Sequence, residues 1–152
     1  MKLDEMERRI LALLQQHGRM SNVELARQVG LSEAPCFRRV KNLEQTGIVS
    51  GYSARLDQRQ LGLDVTAFVQ VTMEKQSDET TEAFRREVEG EASIIECPAM
   101  SGGHDYLMKV VARSIDDFSE IVMRKVLKFP GVAHGESAFS LGVTKEAWAL
   151  PT

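Results

Sequence analysis

Between Gly62 and Asp64 the apolar residues of this chain change period, from one every three or four positions to one every two. The first spacing fits helices that bury a single stripe, the second fits strands whose alternate residues face opposite ways. A single switch of this kind divides the chain into a helical part and a part built on a sheet, which is the α+β class. With 152 residues there is room for two small domains. We place the first over residues 1–52, a linker strand and hinge over 53–63, and the second over 64–152.

Three short helices are predicted in the first part. One starts at Asp4 with Glu7 three residues later, repeats apolar residues at Met6, Ile10, Leu13 and Leu14, and stops near His17-Gly18. The next starts at Ser21 with Glu24 three residues on, carries Val23, Leu25, Ala26 and Val29, and stops at Gly30. The small residues Ala26 and Gly30 are expected to let two helices cross steeply. The last runs from Ser32 to Gly47. Helix, short glycine turn and helix make a helix-turn-helix. After Gly47, Ile48 and Val49 lead into alternating Tyr52, Ala54 and Leu56, which reads as a short strand or wing, with the hinge at Gly62.

Laying out the third helix at about 100° per residue puts Cys36, Val40 and Leu43 on the buried stripe. Ser32 stands at its start, and Ala34, Arg38, Lys41, Asn42 and Gln45 lie opposite the stripe. Arginine pairs bidentately with guanine, asparagine and glutamine pair with adenine, and lysine suits phosphate, so this face is a candidate reader of double-stranded DNA. Ala34 leaves space for close approach. Arg39 flanks the stripe as a candidate phosphate contact, and Phe37 is expected to be half-buried.

Charge distribution agrees with that assignment. The chain as a whole carries a net charge of -3. Residues 1–55, however, hold nine Lys/Arg against six acids, so the excess acid lies entirely in the remainder. Such asymmetry points to different partners for the two parts. No apolar run reaches the roughly 20 residues that span a membrane, and the start lacks a secretory layout, which points to the cytoplasm. Cys36 and Cys97 are too few for a disulfide framework and are read as small buried hydrophobes.

In the second part, Val65, Ala67, Val69, Val71 and Met73 alternate with Thr66, Phe68, Gln70, Thr72 and Glu74. A helix over 78–90 with Phe84 and Val88 inward follows, then strands near 93–100 and 105–112. A helix over 115–128 and a last strand near 135–144 complete the order βαββαβ. That is the ferredoxin-like arrangement, with both helices on one face of an antiparallel sheet. Its other face, bearing Phe68, is expected to pack on a second copy, giving a homodimer.

Between two of these strands lies "MSGGHDY", residues 100–106. Paired glycines expose backbone N–H groups to which a carboxylate has access, and Asp105 is a candidate acceptor for an ammonium group. Ser101, Gly102, Gly103, His104 and Asp105 are therefore candidate effector-binding residues. The competing reading is a plain turn with glycines chosen for positive φ. A metal site from His104, Asp105 and His134 is a further alternative, without close ligand spacing in the sequence. No motif places a nucleophile, so no catalytic residue, enzyme activity or cofactor is assigned.

Taken together, "LDEMERRILALLQQHGRMSNVELARQVGLSEAPCFRRVKNLEQTGIVSGYSARLD", "LGLDVTAFVQV", "SGGHDYLMKV" and "FPGV" resemble the Lrp/AsnC (feast/famine) transcriptional regulators over essentially the whole chain. The resemblance implies a winged helix-turn-helix domain followed by a ligand-binding RAM domain. It implies promoter binding, dimers assembling further, commonly to octamers, and modulation by small molecules, usually amino acids. It also implies that residues 101–105 lie at the effector pocket, near contacts between dimers. Where the family often has Gly-Asp-x-Asp-Tyr, this chain has Gly102-Gly103-His104-Asp105-Tyr106, so the usual first acid is Gly103. The alternative function is a small-molecule binding module or metabolic enzyme whose first helices serve only assembly.

Overall fold

The computed structural model describes residues 2–74, 77–146 and 149–152. The chain forms two units, one of Met1–Arg55 with Thr144–Thr152 and one of Leu56–Val143. The division near residue 55 lies in the expected linker. The tail is the difference: Thr144–Thr152 groups with the first unit, although the sequence reading assigned it to the second.

In the first unit, α1 (Glu5–Gln16), α2 (Asn22–Val29) and α3 (Glu33–Gln45) follow the sequence signals closely. Asp4 closes a full capping box: its carboxylate accepts from the Glu7 N–H at 2.7 Å, and the Glu7 carboxylate accepts from the Asp4 N–H at 2.9 Å. At α2 only half of the box forms. The Ser21 hydroxyl accepts from the Glu24 N–H, but the Glu24 carboxylate turns to Arg27 and Gln28, which hold it down to about 2. Gly30 ends α2 for a reason other than the one expected. A side chain there would meet nothing within 4 Å, so close crossing does not require glycine. Its φ of 74° does, with Leu31 N–H donating back to the Ala26 carbonyl at 2.9 Å and Gly30 N–H to Arg27, the Schellman ending.

Ile10, Leu11, Leu25, Ala26, Val29, Cys36 and Leu43 form the buried core of the three helices. The strand expected over 48–56 does not form within the chain. This stretch is irregular, and Tyr52 and Leu56 stay 52% and 71% exposed, because no neighbouring strand offers them a ladder. Two segments instead meet at the end of α1. The Arg55 guanidinium donates to the Gln15 carbonyl at 3.3 Å, a cation at a helix C-terminus that has no basic residue of its own in the last turn. The Gln15 side-chain amide, for its part, donates to the Leu150 carbonyl at 3.0 Å and accepts from the Leu150 N–H at 2.6 Å.

The second unit contains β1 (Val65–Met73), α4 (Asp78–Gly90), β2 (Ile94–Glu96), β3 (Tyr106–Ala112), α5 (Ile115–Arg124), a 3-10 turn (Val126–Lys128) and β4 (Val132–Phe139). The sheet order is β2-β3-β1-β4, antiparallel throughout, as the ferredoxin-like reading requires. Ala67, Val69, Val71 and Met73 alternate inward and pack with Met108, Val110, Phe84, Phe118, Ile121, Val122 and Val126. The opposite face carries Phe68, paired in register with Lys109 and Ala138, and Gln70, paired with Leu107 and Glu136. Three details differ from the sequence reading. β2 is only three residues long, and β4 starts at Val132 and ends at Phe139, where its ladder with β1 runs from Met73 to Ala67. The last helical run breaks into a 3-10 turn after Arg124. Ile115, an apolar residue of that predicted helix, is 62% exposed in the first turn of α5.

Candidate nucleic-acid interface and effector loop

Helix α3 presents two rows of exposed side chains at four-residue spacing, Glu33-Phe37-Lys41-Gln45 and Ala34-Arg38-Asn42. Cys36 and Leu43, wholly buried, fix the opposite stripe and hence the direction in which these rows point. Arg38 and the side chains of Asn42 and Gln45 have no hydrogen-bond or ion-pair partner among the described residues, so their donors face water. Ser32 occupies the N-cap position, yet its hydroxyl makes no capping bond. Lys41 is held by Glu44 at 2.7 Å and lies 5.6 Å from the centre of the Phe37 ring. Glu44 also accepts from the Tyr52 hydroxyl, and Lys41 keeps its carboxyl below the usual range.

Two positions depart from the sequence reading. Arg39 is turned away from the exposed rows: its guanidinium donates to Asp4 and lies 3.9 Å from Glu7, tying α3 to α1. The capping N–H of Glu7 and then Arg39 lower the Asp4 carboxyl. Arg39 therefore serves as a strut between α3 and α1. Phe37 is half-buried as expected, 52% exposed, but it stands inside the first row and not beside it. Its sequence offset from Cys36 put it at the margin of the face, and only the breadth of the exposed stripe shows it to be a member.

The loop between β2 and β3 is organised by Asp105. Its carboxylate accepts from the Met73 N–H at 2.7 Å, its own N–H donates to the Val71 carbonyl at 2.9 Å, and its carbonyl accepts from the Met100 N–H at 2.8 Å. These bonds fasten the loop to the end of β1. A carboxylate expected to await an ammonium ion thus has a structural task, because β1 ends with a donor that needs an acceptor. Ser101, Gly102 and Gly103 are exposed, and His104 is partly covered. Neither glycine has a positive φ, and a side chain at either would meet nothing within 4 Å. Positive φ therefore does not explain these glycines.

The comparisons with known proteins bear on both regions. Residues 66–150 match the Lrp/AsnC ligand-binding domain, and residues 3–50 match a winged helix-turn-helix DNA-binding domain. The chain belongs to the Lrp/AsnC family. Among relatives of this Lrp/AsnC protein, the leucine-responsive regulatory protein of Escherichia coli is 38% identical over 130 residues, covering 86% of this chain and 79% of the relative. The transcriptional regulator AzlB of Bacillus subtilis is 28% identical over 149 residues, covering 98% and 95%. A transcriptional regulator of Neisseria meningitidis, solved as a complex with L-Met, is 37% identical with a TM-score of 0.94, covering 99% of this chain and 97% of that one. E. coli AsnC has a TM-score of 0.87 at 25% identity, with 97% of each chain covered. This chain is accordingly a DNA-binding regulator of the Lrp/AsnC type with a ligand-binding domain.

Other chemistry finds less support in this Lrp/AsnC chain. Among the described residues no three His, Cys, Asp or Glu side chains are grouped to hold a metal, so His104, Asp105 and His134 do not converge. Cys36 is buried, and burial pushes the Cys97 thiol up to about 11, which leaves little reactive thiolate. A surface cavity of about 410 Å³ lies between the end of α4 and the 3-10 turn, lined by Glu87, Glu91, Arg124, Lys125, Lys128 and Phe129. Lys125 and Glu91 close on each other across it at 2.6 Å. It is lined by none of the loop residues. No described helix is long and apolar enough to cross a membrane.

Proposed function

We propose that the exposed rows of α3 read promoter DNA and that the 101–105 loop receives an amino-acid effector at a surface completed by another copy of the chain. The observation that carries the first half is the pair of rows itself: Arg38, Asn42 and Gln45 are presented on a rigid helix with their hydrogen-bonding groups unspent. Arg38 and Asn42 are suited to base edges, Lys41 and the free Ser32 hydroxyl to phosphates, and Ala34 to close approach. One such helix makes few contacts. A two-fold dimer presents two, about one helical turn (~34 Å) or a multiple of it apart on the duplex.

Three features support the dimer. The sheet face without helices carries half-buried Phe68 and Leu107 and exposed Ile95. Tyr52 and Leu56 alternate along a segment without a strand partner. Leu141 and Val143 are exposed beyond β4. For the effector, the support is the exposed pair Gly102-Gly103, whose conformation does not require glycine and whose main chain no side chain covers, together with the L-Met bound to the N. meningitidis regulator. Asp105 enters as the residue that fixes the loop. Since a ligand pocket encloses most of its ligand and Ser101–Gly103 are exposed in one chain, a second copy is needed to close it. Further assembly of dimers, as far as octamers, and a cytoplasmic setting complete the reading.

Measured against a promoter fragment, double substitution Arg38→Ala with Lys41→Ala is expected to weaken binding and, through Lys41, to flatten the dependence of log affinity on log salt by about one unit. Unchanged affinity would remove α3 from the interface. A thermal-shift screen of the twenty amino acids on the protein and on Gly103→Val tests the loop: a stabilising amino acid whose effect Gly103→Val leaves intact would place the effector elsewhere. Light scattering with and without that amino acid reads the assembly.

A further inference from the structure

We propose that Phe37 is a specificity residue that reads the C5 methyl group of thymine in the major groove. The inference rests on the reading of α3 given above and extends it to a residue type that makes no hydrogen bond. A single exposed apolar side chain is ordinary on a protein surface and by itself means nothing. Phe37 differs in its setting. It lies within the exposed stripe of α3, four residues before Lys41, one before Arg38 and five before Asn42, so any duplex that covers those groups also covers the ring.

Folding offers no other use for it. Phe37 is absent from the buried helical core and from the partly buried side chains around it, and no aromatic ring among the described residues stacks on it. Its described companion is the Lys41 ammonium, 5.6 Å from the ring centre and anchored by Glu44 at 2.7 Å. That anchoring fixes where the cation sits beside the ring. It leaves 52% of the residue in contact with water. Apolar surface stabilises only when water is removed from it. Of the groups that line the major groove, the thymine methyl is the apolar one, and phenylalanine is among the side chains that meet it. Arg38 and Asn42 supply hydrogen bonds to purines, and the ring adds recognition of a group that hydrogen bonds cannot read.

Deoxyuridine differs from thymidine only by this methyl, so the test changes the DNA rather than the protein. A duplex selected from a random pool by the full-length protein is resynthesised with each thymine replaced in turn by uracil, and binding is followed by fluorescence anisotropy. At one or more positions the unaltered protein is expected to lose about fourfold in affinity, the value of burying one methyl-sized group. Phe37→Ala, which should melt as the parent does because the ring is exposed, is expected to bind thymine and uracil there equally. Phe37→Leu should restore part of the preference. The proposal is overturned if no thymine shows the effect, or if Phe37→Ala shows it undiminished. Arg38→Ala with Lys41→Ala, run on the same duplex, separates the two ways of failing. If that variant binds normally, α3 is not the reading helix. If it binds weakly while uracil and Phe37→Ala are uncoupled, only the role of Phe37 falls.

Discussion

The α3 face and the 101–105 loop were both marked by side chains able to bind a partner, yet the structure treats them in opposite ways. On α3 the helix satisfies its own backbone, and Arg38, Asn42 and Gln45 are left with nothing to serve but an outside partner. In the loop the backbone has no ladder of its own, and the most conspicuous side chain, Asp105, is spent on the Met73 N–H. Regular secondary structure frees polar side chains, whereas irregular backbone consumes them. The loop's exposed part is its main chain at Gly102 and Gly103, which the proposed effector site uses.

The largest effect that sharpens this contrast should come from beneath the α3 face. Leu43 is wholly buried, and Leu43→Ala is expected to cost about 2–5 kcal/mol of the helical unit's stability and to abolish DNA binding through unfolding. Circular dichroism melts would show an early helical transition, while Arg38→Ala should melt like the parent. Next is the loop. Asp105→Ala leaves the Met73 N–H without an acceptor and is expected to cost about 1–3 kcal/mol, whereas Asp105→Asn, whose amide oxygen still accepts, should recover much of it. Urea unfolding of the two variants decides: equal stability would mean that Asp105 does not hold the loop.

A comparable difference separates the neighbours Arg38 and Arg39. Arg38→Ala should cost about 1–3 kcal/mol of DNA binding and relax specificity at the base it reads. Arg39→Ala should lower the melting temperature slightly and leave the salt slope of DNA binding unchanged, since its partners are Asp4 and Glu7. A fall in slope for Arg39→Ala would restore it as a phosphate contact. The smallest effect is expected at Gly103→Ala, which should stabilise by about 0.4–1 kcal/mol through the unfolded chain, given open space and no positive φ. A marked loss of stability there would show that the glycine is needed by the fold itself.

Much of this molecule was legible in its residues, and the exceptions share a cause. The caps at Asp4 and Ser21, the stripe of Cys36 and Leu43 and the inward row of β1 are local patterns, and the structure realises them where the sequence put them. Arg39 and Asp105 depend on partners far along the chain, and the 48–56 segment has no strand partner among the described residues. Asp4 lies 35 residues from Arg39, and the Met73 N–H lies 32 from Asp105. A helical wheel or a turn motif contains no information about such partners. Gly30 shows a subtler limit: the residue was placed correctly at the end of α2, but crowding and handedness both favour glycine, and only the backbone angle tells them apart.

The meeting of Arg55 and Leu150 on Gln15 means that the DNA-binding half cannot be cut out with one pair of scissors. A fragment ending at Arg55 keeps the three helices but strips the Gln15 amide of both its Leu150 partners, so it is a different object from the unit it is meant to represent. In the language of gene architecture, the tail that follows the sheet groups with the helices that precede it. Fusion partners and truncation limits chosen as if helices and sheet were beads on a string would divide a single piece of structure.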